Sequence, residues 1–161
     1  MAVDMFLKID DIKGESSDSA HGEEIDVLAW SWGMSQSGST HAGSGSGAGK
    51  VSVQDVAITK YVDRSSPNLL KLCCSGTHFQ KATLIVRKAG GKKPLEYIKI
   101  EMSDGIISSV STGGSGGEDR LTENVTLNFA SFKYEYTPQK ADGSGAAAVP
   151  ATWDIAKNSE K

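Results

Sequence analysis

Between Leu28 and Ser35 bulky and small side chains alternate without a break: Leu28, Trp30, Trp32 and Met34 share one parity, Ala29, Ser31, Gly33 and Ser35 the other. A period of two is the spacing of a β-strand, whose successive side chains point to opposite faces. The stretch therefore predicts a sheet with one bulky apolar face and one face of short side chains. Upstream, Ile25 and Val27 carry the apolar parity instead, so the pattern slips at Val27-Leu28. A bulge there would re-aim the two faces.

The rest of the chain reads mostly the same way. Asp4 to Ile12, Val51 to Asp63, Lys81 to Lys88, Leu95 to Met102 and Ile106 to Val110 have strand composition. Lys81–Lys88 and Leu95–Met102 pair as a hairpin around Gly90-Gly91. Leu121 to Thr137 is long: Val125, Leu127 and Phe129 hold one parity, then Phe132, Tyr134 and Tyr136 the other, which predicts a bulge between two packing environments. One helix of about ten residues is expected. Ser65-Ser66-Pro67-Asn68 supplies an N-cap hydroxyl and an early proline, Leu69, Leu70, Leu72, Cys73 and Cys74 form a broad face, and Gly76 closes it. Gly14 to Gly22 reads as a polar turn, and Gln36 to Lys50, with little apolar area to offset its ordering entropy, as a flexible loop. Beyond Pro138 only Val149, Trp153 and Ile155 interrupt a polar tail. Seven or eight strands, one helix and short connections predict a mainly β barrel or sandwich over 1–137, with 38–50 as an extended loop and 138–161 as a C-terminal tail.

Composition removes several classes of function. A formal charge of −3 argues against a broad nucleic-acid-binding surface, which needs clustered Lys and Arg. No run approaches the ~20 apolar residues of a spanning helix. The start, Met1 to Asp11, meets acids early and has no continuous apolar stretch, so export by a signal peptide is not expected. The two cysteines, Cys73 and Cys74, are neighbours, which disfavours a disulfide; they read as small buried hydrophobes rather than a dithiol or metal site.

The motifs that suggest chemistry fail on their own terms. Ser44 to Val51 imitates a phosphate-binding loop, but the leading glycine is Ser44, the metal-binding hydroxyl is Val51, and a strand follows where a helix is needed. The looser Gly43-x-Gly45-x-x-Ala48 match stands in no βαβ unit. His21, His41 and His78 are scattered, and no activated-serine elbow appears. Glu118-Asp119-Arg120 reads as a structural salt bridge at a loop base, and the sequon at Asn124 has no secretory context. No catalytic residue, metal or cofactor is therefore expected. The small sheet face and the glycine-rich loops suit a subunit that associates with copies of itself.

Three blocks carry a specific likeness: Met1 to Ile9, Glu24 to Ser35, and Ser108 to Phe129. In order and spacing they closely resemble Hcp, the haemolysin-coregulated protein family of bacterial type VI secretion, over roughly residues 1 to 140. The resemblance implies a compact β-barrel of two sheets with one flanking helix, assembled as a homohexameric ring. Stacked rings would form the inner tube of a contractile injection machine, topped by a VgrG spike, surrounded by sheath proteins, and loaded with small effector proteins. It also implies a cytoplasmic protein released through that machine, and the charge and hydropathy read above add no nucleic-acid or membrane partner to the expectation.

On this reading Ala29, Ser31, Gly33 and Ser35 are the expected lumen and effector-binding face. The loop containing Gly38, Ser39, Thr40, His41, Gly43, Gly45, Gly47 and Gly49 is the expected ring-stacking contact. Alternatives are an effector chaperone or adaptor ring that never polymerises, and a small barrel hydrolase or ligand binder. About 20 residues beyond Pro138 are too few for a fused toxin domain.

Overall fold

The computed structural model describes residues 3–37, 49–88 and 93–161. Among these, nine strands and one helix follow in the order β1 Val3–Ile9, β2 Ile25–Ser31, β3 Met34–Ser35, β4 Ser52–Val53, β5 Val56–Tyr61, α1 Ser66–Ser75, β6 Phe79–Lys88, β7 Leu95–Thr112, β8 Thr122–Tyr136 and β9 Val149–Asp154. The main sheet runs β5-β2-β1-β6-β7-β8-β9, and pairing of β5 with β8 closes its first six strands into a barrel. β3 and β4 form a separate two-stranded ribbon. The fold is thus mainly β with one short helix, and of the barrel and sandwich that the alternating pattern leaves open it is the barrel that the family resemblance implies.

Closure follows from the division of β8. Its first half pairs with β5, from Tyr61↔Thr122 to Val56↔Leu127, whereas its second half pairs with β9, from Ser131↔Asp154 to Tyr136↔Val149. Residues such as Leu7, Ile25, Val56, Leu84, Ile100 and Leu127 fill the interior and are fully buried. Each such side chain contributes roughly 1.5–3 kcal/mol on leaving water, so the barrel needs no staple.

The bulge expected at Val27-Leu28 is present: β2 and β5 pair as Val27↔Lys60 and then Ala29↔Thr59, leaving Leu28 as the extra residue. It turns Leu28 outward, where it is exposed, and Met34 is exposed as well, so the bulky parity is not one continuous apolar face. Trp30 and Trp32 alone cover the core. Trp32 sets its ring edge-on against Phe132 at 4.8 Å between centroids and donates Nε1–H to the Gln54 carbonyl at 2.9 Å.

Several expectations need correction. Leu95–Met102 and Ile106–Val110 are one 18-residue strand, because Asp104 takes a left-handed conformation (φ 53°) and the ladder continues through Gly105. The parity switch after Phe129 involves no register shift between β7 and β8. Their ladder skips the Asp104–Ala130 pair and resumes in register, and the free Ala130 carbonyl accepts the Ile155 N–H at 2.8 Å. The barrel reading stops at 137, yet β9 lies in the segment beyond it and pairs with β8, while Trp153 and Ile155 pack against the core.

Helix α1 spans the ten residues expected, with Pro67 in its first turn and Gly76 at φ 67° donating to the Leu72 carbonyl. The Ser65 hydroxyl, however, does not cap it; it donates to Asp63. The buried face is also narrow. Leu69 is fully buried, Leu72 and Cys73 partly, while Leu70 and Cys74 are exposed. Consecutive helical residues point about 100° apart, so both cysteines cannot share one packed stripe. The turn at 89–92 and the loop segment 38–48 lie outside the described residues.

Candidate functional site: a small polar sheet face

The alternation in β2 has counterparts on three neighbouring strands, and the register places them side by side. Ala29 pairs with Thr59, which pairs with Asn124, which pairs with Ser111. One step along, Ser31 pairs with Ala57, Ala57 with Thr126, and Thr126 with Ser109. The residues between them form the opposite face: Trp30↔Ile58↔Val125↔Val110, with Ile58 and Val125 buried in the core. One face of β2-β5-β8-β7 is therefore apolar and buried, and the other is a band of short polar side chains at the surface.

The band is bonded to itself. Thr59 Oγ1 donates to Asn124 Oδ1 at 2.8 Å, and the Thr126 hydroxyl lies 2.5 Å from Ser109 Oγ and 2.7 Å from Ser108 Oγ. Asp55, the carboxylate at its edge, accepts from Ser108 Oγ at 2.5 Å and from Asn128 Nδ2 at 2.9 Å. Ser108 reaches Asp55 because β7 is bulged between Ile107 and Ser109. The outcome is a nearly neutral lining of hydroxyls, amides and methyl groups.

Of the expected lumen residues, Ala29 and Ser31 lie on this band and are exposed. Gly33 and Ser35 do not. The Gly33 carbonyl accepts from Gln54 N–H, and Ser35 pairs with Ser52 in the β3–β4 ribbon, because the strand breaks at Trp32-Gly33. The sequence reading missed Ala57, Thr59, Asn124, Thr126, Ser109 and Ser111. The same alternation is visible in Val56-Ala57-Ile58-Thr59 and Asn124-Val125-Thr126-Leu127, but only the register joins it to β2. Of the expected stacking loop, Gly38, Ser39, Thr40, His41, Gly43, Gly45 and Gly47 lie outside the described residues; Gly49 lies against Gln36 and Ser37, where the two arms of the loop meet.

The other singled-out groups have structural partners. Both ring nitrogens of His21 face carboxylates, Glu24 at 2.9 Å and Glu96 at 2.6 Å, leaving neither to activate a hydroxyl. His78 meets Asp104 at 3.0 Å on the surface. Arg120 was expected to pair with Glu118 or Asp119; instead its guanidinium lies 3.7 Å above the centre of the Tyr61 ring. Among the described residues no helix is long and apolar enough to cross a membrane.

A six-stranded closed barrel flanked by one helix, with a band of short polar side chains across four of its strands, puts the chain in the class of small closed β-barrels. The family model for "Type VI secretion system effector, Hcp" matches residues 6–136, so the chain belongs to the Hcp family of type VI secretion proteins, which is not a known enzyme family. It is 65% identical to Protein hcp1 of Pseudomonas aeruginosa over 159 residues, 98% of each chain. A solved structure of a type six secretion system protein superposes with a TM-score of 0.92 at 28% identity, covering 99% of this chain and 100% of that one. The crystal structure of Hcp1 from Salmonella typhimurium gives 0.80 at 40% identity with both chains fully covered.

Proposed function

We propose that this chain is the subunit of a type VI inner tube: copies close into hexameric rings, the rings stack, and the band through Ala29 and Ser31 lines the bore and receives small effector proteins. The tube would sit beneath a VgrG spike inside a contractile sheath and leave the cytoplasm with its cargo. The observation that carries the reading is the continuity of the small, neutral face across four strands of a closed barrel. Large side chains on a concave wall would narrow it, and unpaired charges would select cargo by sign; this band has short side chains, several of them bonded to one another, and its one carboxylate, Asp55, sits at the edge and accepts from Ser108 and Asn128. A stable ring contact must bury about 1,000 Å² or more, whereas ring-to-ring contacts can be weaker.

Electron microscopy and solution mass of the purified chain test the assembly. Deleting residues 40–48 is expected to leave rings of unchanged mass while sharply reducing tubes; tubes of normal length would remove the loop from the stacking contact. Rings from the intact chain that never stack, at any concentration, would support the chaperone-ring reading instead.

Ser31→Gln replaces a hydroxyl with a methylene and a carboxamide on the exposed face without entering the core. Rings should form as before, while co-purified effector falls several-fold. Undiminished cargo would place the bore on another face.

A further inference from the structure

Segment 13–24, which contains the polar turn read from sequence at Gly14 to Gly22, is folded against the outside of the barrel. Its backbone closes on itself through Gly14 N–H to Glu23 O (2.7 Å), Ser16 N–H to Glu24 O (3.0 Å) and Glu23 N–H to Ser16 O (2.8 Å). Beneath it lies Phe6 of β1, on the side of the strand facing away from the Leu7 core. The His21 ring stacks on Phe6 at 4.5 Å between centroids, inclined 17°. Arg87 of β6 stands 5.0 Å from the centre of the same ring.

The charges around this stack come from four elements. Within the segment, Asp18 accepts the His21 backbone N–H at 3.2 Å, and Glu24 Oε2 lies 2.9 Å from the His21 Nδ1. From β7, Glu96 Oε1 lies 2.6 Å from Nε2. From β6, Arg87 donates to Asp18 at 2.5 Å and to Asp4 of β1 at 3.0 Å. A neutral imidazole carries one N–H, so it can donate to only one of two flanking carboxylates and must turn a lone pair on the other. The imidazolium donates to both. The His21 side chain is only 7% exposed, and Glu24 Oε1 is buried with no partner, so loss of the ring's charge would leave Glu24 without compensation and nearly out of water.

We infer that His21 is a protonation-controlled latch: as imidazolium it clamps segment 13–24 onto the outer face of β1, β6 and β7, and release of its proton to solvent loosens the segment over Phe6 while Arg87 still tethers it at Asp18. The direction of its titration agrees. Burial opposes the charge, but hydrogen bonds and Coulombic attraction from Glu96 and Glu24 outweigh it, so the histidine is raised above its ordinary value of about 6.5. With the folded value raised, the latch's contribution is complete below about 6.5 and is lost as pH rises through the folded value. The neighbouring Arg87–Asp18 pair keeps its charges there, since Arg87 holds Asp18 well below the usual carboxylate range. A subunit of a secreted assembly would therefore have its outer face held most tightly under mildly acidic conditions.

The test follows the His21 ring by NMR against pH in the intact chain, assigned by its absence in His21→Gln, together with amide exchange at Gly14, Ser16, Glu23 and Glu24 corrected for intrinsic base catalysis. Expected are a midpoint above 6.5 and at least a tenfold loss of protection across that midpoint, with barrel amides such as Leu84 and Leu127 unaffected. Glu96 is half-exposed, so Glu96→Gln keeps the fold; it should lower the midpoint and move the loss of protection with it. In His21→Gln the segment should be poorly protected and insensitive to pH. A midpoint at or below 6.5, or protection that does not change across it, overturns the latch.

Discussion

Lys60→Ala is expected to cost about 3–5 kcal/mol, the penalty for stranding a buried charge, and to lower the melting temperature by about 10–15 °C at fixed protein concentration. Lys60 is fully buried, and its ammonium meets Glu123 Oε1 at 2.5 Å, Asp63 Oδ1 at 3.1 Å and Ser66 Oγ at 3.2 Å. Ser66 completes the ring by donating to Glu123 at 2.5 Å and accepting the Asp63 N–H at 3.0 Å. Without the ammonium, two carboxylates face each other at the seam where β5 meets β8 and where α1 begins. The double variant Lys60→Met, Glu123→Met should recover part of the loss, because it removes the buried Glu123 charge together with the ammonium and leaves only Asp63, which still accepts from the Ser65 N–H and hydroxyl. Calorimetry of the three proteins separates the outcomes. A single variant that melts within 2 °C of the parent would mean that the network is not the tie between helix and barrel.

Gly105→Ala is expected to cost about 3 kcal/mol, at the upper end of what overpacking does. Gly105 pairs with Phe79 on one side and Phe129 on the other. A Cβ there would sit within 3.0 Å of the Asn128 carbonyl oxygen and of two Phe79 ring carbons. The carbonyl is fixed by the ladder, so the strand itself must move. Gly113 has nothing within 4 Å of the same position, and Gly113→Ala should fall within about 0.5 kcal/mol of the parent. Urea midpoints measure both. Equal midpoints would show that the aromatic rings yield without cost.

The sequence made the barrel legible wherever polarity alternates under a single core. Val56 to Thr59, Asn124 to Phe129 and the slip at Leu28 each appear in the structure at the expected residue. What was hidden depends on partners remote in the chain. Ser103-Asp104-Gly105 looks like a turn, but Gly105 pairs with Phe79 on one side and Phe129 on the other, so the ladder resumes in register past Asp104. Val149 to Asp154 alternates weakly and becomes a strand because β8 offers a free edge. His21 looked solvated until two carboxylates, one of them 75 positions away, enclosed it.

The candidate lining was half legible for the same reason. Parity in β2 singled out Ala29 and Ser31, but parity cannot say which strands stand beside them. Nor could it anticipate that the line of side chains ends at Trp32, where the indole turns to cap Phe129 and Phe132 and sends Gly33 and Ser35 into a different ribbon. The acid–base pattern of 118–120 misled because an exposed ion pair is worth little, and Arg120 instead places its guanidinium over the Tyr61 ring.

β8 serves two neighbours in succession, first as the seam that shuts the cylinder and then as the shelf on which the last strand rests. A pull exerted from the carboxyl side of β9 therefore meets a strand gripped by one partner, and peels it without opening the cylinder. A pull on β1 meets a strand that has β6 along its whole length and β2 beside its middle. Bulky fusions that must leave the closed wall undisturbed belong on the side that can give way.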